Sequence, residues 1–166
     1  MSVSIIIETG AGLENSNSYV SIEDAKKFFI NRGSDISNDD DIAVMLIRAT
    51  DYLERLCYLG NKASPGQALA FPRADLVVND TPIASNVIPG EIRKAQLFLA
   101  HAVSEGFDIS GNSSHSDYVI SEKVGPLTTQ FADPTLIGVG VKLKNVDALL
   151  KDFICTDVYR LRTRRV

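Results

Sequence analysis

The sequence predicts an α+β domain, mainly helical, in which a bundle of three main helices is joined by a β-hairpin and by a short C-terminal helix with an extended arm. Two observations carry this expectation. Three apolar stripes recur at the three- and four-residue steps of one helical face. A β-rich segment late in the chain then breaks at a Gly-Pro pair, as strands around a turn do. With 166 residues the chain can bury one core without metals or crosslinks. Two domains would be cramped, so a single domain over 1–158 is expected, its helical core at about 20–106 and a basic arm at 159–166.

The elements follow in order. Ser4 to Ile7 is a short β-branched run closed by Gly10-Ala11-Gly12, which predicts a strand and then a loop. Ser21 with Asp24 three residues on has the pattern of a helix cap, and Ile22, Ala25, Phe28 and Phe29 share the face that follows, up to Arg32-Gly33. Ile42, Met45, Leu46, Ala49, Tyr52, Leu53 and Leu56 form the clearest stripe, capped by Asp39 to Asp41 and expected to stop at Gly60. Pro65-Gly66, Phe71-Pro72-Arg73 and Thr81-Pro82 exclude a continuous helix over 63–86, leaving an ordered loop with a small hairpin. Pro89 suits a first helical turn, and Ile92, Ala95, Leu99, Ala102 and Val103 carry the third stripe to Gly106. Residues 108–117 are a Ser-, Gly- and Asn-rich connection, and Tyr118 to Phe131 reads as a hairpin about Gly125-Pro126. Asn145 can cap a short helix, about 145–154, in which Val146, Leu149, Leu150 and Phe153 share a face.

Charge and cysteine use narrow the function classes. Seventeen basic against 21 acidic side chains give a net charge of −4, so general attraction to nucleic acid or anionic lipid is not expected. The concentrated basic site is Tyr159 to Val166. Cys57 and Cys155 lie in apolar stretches, where buried free thiols are the favoured reading, although the sequence leaves a disulfide open. No run approaches the roughly 18 apolar residues of a membrane span, and no basic region leads into an apolar run at the start, so a cytoplasmic protein is expected.

Catalytic and metal readings are weak. His101 and His115 are isolated and neither cysteine has a ligand-like neighbour, which argues against zinc. Neither a Gly-x-Ser-x-Gly elbow nor a Cys/His pair supports a nucleophile, and Gly10-Ala11-Gly12 lacks the remaining residues of a nucleotide fingerprint. No enzyme and no cofactor are therefore expected. Asp39, Asp40 and Asp41 serve more simply as a helix cap than as a cation site; on a channel wall they would repel DNA phosphates. Phe28, Tyr52 and Phe98 fall within apolar helical segments and read as core, not as base-stacking platforms. Arg160, Arg162, Arg164 and Arg165 could meet phosphates or an acidic protein groove, or could simply be solvated.

The run Glu8 to Ser21, then Ala49-Thr50-Asp51-Tyr52-Leu53, Gln67 to Arg73 and Ile88-Pro89, closely resembles a phage and prophage family often labelled DnaT-like single-stranded-DNA-binding. That family looks like the head-to-tail adaptors of tailed phages; Glu122 to Leu127 and Val146 to Leu150 resemble the adaptors' later hairpin and last helix. Many relatives carry tryptophan in or near Tyr58-Leu59-Gly60 and Ala70-Phe71-Pro72, where this chain has Tyr58 and Phe71. The adaptor resemblance implies a homo-oligomeric, twelve-fold ring beneath a portal protein, a tail or stopper partner, double-stranded DNA passing through the lumen, no membrane, and a place in the virion neck. The acidic balance favours an adaptor over a single-strand binder, which gains most of its affinity by neutralising phosphates; the single-strand binder is the alternative. On that expectation Tyr159, Arg160, Leu161, Arg162, Arg164 and Arg165 dock on the portal. Phe71, Pro72, Arg73, Val119, Lys123, Val124 and Phe131 form subunit or tail contacts, and Asp39, Asp40 and Asp41 face the channel.

Overall fold

The structure, a computed structural model, describes residues 3–110, 121–124, 127–130 and 143–155. Within them an α+β arrangement dominated by helix is present, as expected. Helix α1, Ile22–Ile30, starts where Ser21 accepts a hydrogen bond from Asp24 N at 3.1 Å, so the capping pattern in the sequence is used. Helix α2, Asp39–Glu54, is capped by Asn38, whose side chain accepts from Asp40 N at 3.1 Å. The three aspartates are thus its first turn, where the dipole favours them, and not its cap.

Helix α2 stops at Glu54, short of the expected Gly60. Tyr58 turns inward instead, donating its hydroxyl proton to Leu53 O at 3.0 Å and setting its ring edge-on to Phe71. Residues 57–59 then run extended against the C-terminal segment, with Leu59 N on Phe153 O and Cys155 N on Cys57 O, each at 2.8 Å. The chain next forms β1, Asn61–Lys62, and β2, Arg73–Ala74, paired antiparallel, and then the hairpin of β3, Leu76–Val78, and β4, Thr81–Ile83. Asn79 and Asp80 turn that hairpin at positive φ, the conformation a two-residue loop of matching twist requires.

Helix α3, Gly90–Ser104, takes Pro89 as its capping residue, one position before the first turn expected. Strands β5, Ser121–Val124, and β6, Leu127–Gln130, pair antiparallel with Val124 opposite Leu127, which places the predicted hairpin in register about Gly125-Pro126. Helix α4, Lys144–Leu150, begins before Asn145, which therefore lies inside it and caps nothing. The expected strand at Ser4 to Ile7 is reduced to one bridge, Ile7 with Ser18.

Helix α2 packs along α3, α3 along α4, and α1 lies against both α2 and α3. Their stripes meet in one core containing Phe29, Ile42, Leu46, Leu53, Ile92, Leu99 and Leu150, with Phe71 completely buried among Tyr19, Tyr58 and Phe153. Removing that ring would cost about 3–5 kcal/mol. The cysteines are not buried thiols: Cys57 and Cys155 form a disulfide across 98 residues, with Cα atoms 5.4 Å apart and Cys57 exposed. Tyr58 claims the adjacent core position, leaving Cys57 at the surface.

Candidate nucleic-acid interface

The residues of the N-terminal motif build a scaffold. Glu8 is buried, and its carboxylate accepts from Gly10 N, Gly12 N and Leu13 N at 2.6–3.0 Å and from the Ser16 hydroxyl. Burial alone would raise its pKa, but these donors outweigh burial and hold it below the usual value. At Gly10, with φ of +108°, a Cβ would fall 1.9 Å from Asn86 O, so only glycine fits. Gln96, fully buried on α3, accepts from Tyr19 N and donates toward Ser18 Oγ, Thr50 Oγ1 and Leu46 O. Tyr19 in turn donates to Glu54 at 2.6 Å, and burial followed by the Glu54 charge drives its pKa upward. Every group here already has a partner within the chain.

The same holds for most of the candidate contact residues. Phe71 and Pro72 are core, and the peptide between them is cis. Arg73 spends its donors on the carbonyls of Leu59, Ala70, Tyr58 and Gly60. Asp39 pairs with Lys26, Asp40 accepts from Val3 N, and Asp41 accepts from the Asn38 amide. Lys123 and Val124 sit in β5 opposite Thr128 and Leu127. Val119, Phe131, Tyr159, Arg160, Leu161, Arg162, Arg164 and Arg165 lie outside the described residues. Among the described residues no group of three or more metal-ligating side chains gathers, and no helix is long and apolar enough to cross a membrane.

A different set of residues lines an open groove of about 460 Å³ between the end of α1, the last turns of α3 and the start of α4. Its walls include Arg32, Phe98, His101, Glu105 and Lys144. The Arg32 guanidinium lies 3.4 Å from the centroid of Phe28 and 5.0 Å from that of Phe98, the two rings meeting edge to face. Among the described residues one Arg32 nitrogen is tied, Nη1 to Phe28 O at 3.2 Å. Ser34 Oγ and Glu105 hold the two ring nitrogens of His101, at 3.0 and 3.7 Å. Arg32 and Lys144 are exposed, and neither forms an ion pair among the described residues.

Beyond Glu105 the chain closes α3 at Gly106 and presents Phe107, the one exposed aromatic among the described residues, 47% accessible. It then passes Arg48, which faces Asp108, and Arg55, which donates to Ile109 O and Ser110 O. The segment that leaves α3 thus runs from the groove along α2, past Arg48 in its middle to Arg55 just beyond its end. Neither the groove nor Phe107 was singled out in the sequence. Phe28 in the last turn of α1 and Arg32 just beyond its cap, four residues apart, are a local signal for a guanidinium over a ring. The joining of Phe98, His101 and Lys144 to them is tertiary.

No curated protein and no solved structure matches this chain. A family described as putative DnaT-like ssDNA binding protein matches residues 3–166. That match overturns the head-to-tail adaptor expectation, and the portal, tail and virion-neck roles that rested on it lose their support. The charge argument behind it averaged over the chain, whereas Glu8, Glu54 and Asp39 to Asp41 are engaged by internal donors, and Arg32 and Lys144 are exposed and form no ion pair among the described residues. By this match, over nearly its whole length, the chain belongs to the putative DnaT-like ssDNA-binding family.

Proposed function

We propose that the chain binds single-stranded DNA, without catalysis, through the α1–α3–α4 groove and the Phe107 segment beside it. Family membership over residues 3–166 carries this reading, and the groove offers the groups it needs. Unpaired strands expose the faces of their bases, on which aromatic rings and guanidinium planes stack with little regard to sequence. Phe107 offers a ring, and Arg32 a guanidinium held over the Phe28 ring. Lys144, on the opposite wall, suits a backbone phosphate.

A chain of net charge −4 gains little from phosphate neutralisation at large. Stacking therefore supplies a larger share of affinity here than in a basic coating protein. If Arg32 and Lys144 each meet one phosphate, log K should fall with log salt at a slope of about −1.4.

Fluorescence anisotropy with a labelled oligothymidylate and a duplex of equal length tests the proposal. The single strand should bind tighter. Phe107→Ala and Arg32→Ala should each weaken it by about 5- to 100-fold, the size of one lost stacking contact. Equal affinity for single strand and duplex would refute single-strand recognition. If the Phe107→Ala/Arg32→Ala double variant binds as the parent does, and affinity instead disappears on neutralising Arg160, Arg162, Arg164 and Arg165, the interface is not the groove.

A further inference from the structure

The groove has one wall that is held by a covalent bond. Helix α4 packs on α3 through Val146 and Leu150, and Phe153 just beyond it reaches the Phe71 cluster. Lys144 and Asn145, at the start of α4, line the groove. The far end of the same segment is fixed to the end of α2 by the bridge of Tyr58 with Ile154, by two backbone hydrogen bonds, and by the Cys57–Cys155 disulfide. Helix α4 has only seven residues, too few to persist unless it is docked. Cys57 is an exposed residue, so a thiolate would approach the bridge from its side.

We propose that the Cys57–Cys155 disulfide is a redox clasp on the groove, and that its reduction by a dithiol loosens α4 and the Lys144 wall from α3. A thiolate of the dithiol attacks Cys57 Sγ. The S–S bond breaks, Cys155 leaves as thiolate and takes a proton, and a mixed disulfide forms on Cys57. The second thiol of the reductant then attacks its own sulfur in that mixed disulfide and releases Cys57. Two electrons and two protons pass to the protein, and the dithiol becomes a cyclic disulfide. In the clasped state the segment cannot leave without opening a crosslink that closes 98 residues of chain. After reduction it is held without a covalent link, by the buried Val146, Leu150 and Phe153, the partly buried Leu143, Leu149 and Ile154, and short backbone pairing.

The effect on the groove rests on the DNA-binding reading, whereas the clasp itself does not, and two readouts on the full-length chain separate them. Alkylation without denaturant, followed by mass measurement, should add nothing to the air-oxidised chain and two labels after dithiothreitol. Hydrogen exchange of peptides spanning 143–155 should speed by about thirtyfold or more on reduction, the low end of what a crosslink of this span contributes. Exchange in the middle of α2 should stay unchanged. Affinity for the labelled oligothymidylate should fall several-fold on reduction, return on reoxidation, and be insensitive to dithiothreitol in Cys57→Ser. Two labels on the air-oxidised chain, or equal exchange over 143–155 in both redox states, would overturn the clasp. Faster exchange with unchanged DNA affinity would refute its control of the groove. Faster exchange with no DNA binding in either state would count against the DNA reading and leave the clasp standing.

Discussion

Arg73 and Arg32 both lay a guanidinium against aromatic rings, yet one is consumed by the fold and the other is open to a ligand. Arg73, 5.9 Å from the centroids of Tyr58 and Phe71, donates to four main-chain carbonyls. Burial pulls its pKa down while Tyr19, Tyr58 and Glu54 oppose that pull. Arg32 sits on Phe28 with a single carbonyl partner, that of Phe28 itself. The difference lies in the local backbone. Irregular chain at 58–60 and at Ala70 turns four carbonyls toward Arg73, whereas at the end of α1 the carbonyls of Lys27, Phe29 and Ile30 are already taken by the amides of Asn31, Arg32, Gly33 and Ser34. An arginine is therefore assigned a role by the carbonyls around it, and not by the ring beneath it.

The largest test of that contrast is to remove the consumed arginine. Arg73→Ala orphans four carbonyls in two segments, 58–60 and Ala70, and should cost about 3 kcal/mol, read as a lower urea midpoint with an unchanged slope. Arg73→Lys should recover little, since a single ammonium cannot span the same fork. Were Arg73→Ala to unfold at the parent's midpoint, the division between a locked and an open arginine would collapse. Gln96→Leu sharpens the same point within the core. It removes the amide shared by Tyr19, Ser18, Thr50 and Leu46, at a cost of about 2–3 kcal/mol.

Glu8 gives a smaller effect with a pH signature. Its folded pKa lies below the unfolded one, so its contribution is complete above the ordinary glutamate range and is lost as pH falls through the folded value. Glu8→Gln should lower stability at neutral pH by about 1–2 kcal/mol, the difference between charge-assisted and neutral bonds. Its stability should also fall less than the parent's as the pH is lowered from about 5 to 3. Parallel stability profiles for the two proteins would remove Glu8 from the locked region.

These contrasts also mark what could be seen in one dimension. The stripes of α2 and α3 were legible because Ile42, Leu46, Ala49, Leu53, Ile92, Ala95 and Leu99 each report the helical period directly, and all are buried. The hairpin was legible because Gly125-Pro126 interrupts two β-rich runs. Gln96 was not, since its partners lie 46, 50, 77 and 78 residues away and nothing local distinguishes a buried amide from a solvated one. The cysteines read as buried because their neighbours are apolar, but Tyr58 and Phe153 take the inward positions. Phe71-Pro72-Arg73 was expected to make contacts because the adaptor resemblance implied a ring whose subunits share loops, whereas Phe71 and Pro72 are buried in the core. The groove escaped notice because Phe98 obeys the core pattern of α3 while only partly burying its ring.

The smallest expected change in stability belongs to the open arginine, and its smallness is what gives it meaning. Arg32→Ala gives up one exposed stacking contact and one hydrogen bond at a helix end, so the unfolding free energy from urea titration should fall by no more than about 0.5–1 kcal/mol. Arg32→Lys keeps the charge but loses the plane. If the guanidinium serves as a stacking surface, the lysine variant should bind an oligothymidylate almost as poorly as the alanine variant at low salt. If it serves only as a phosphate partner, lysine should restore most of the affinity and the full salt slope. A loss of stability at Arg32 as large as at Arg73 would mean that both arginines are equally committed to the fold.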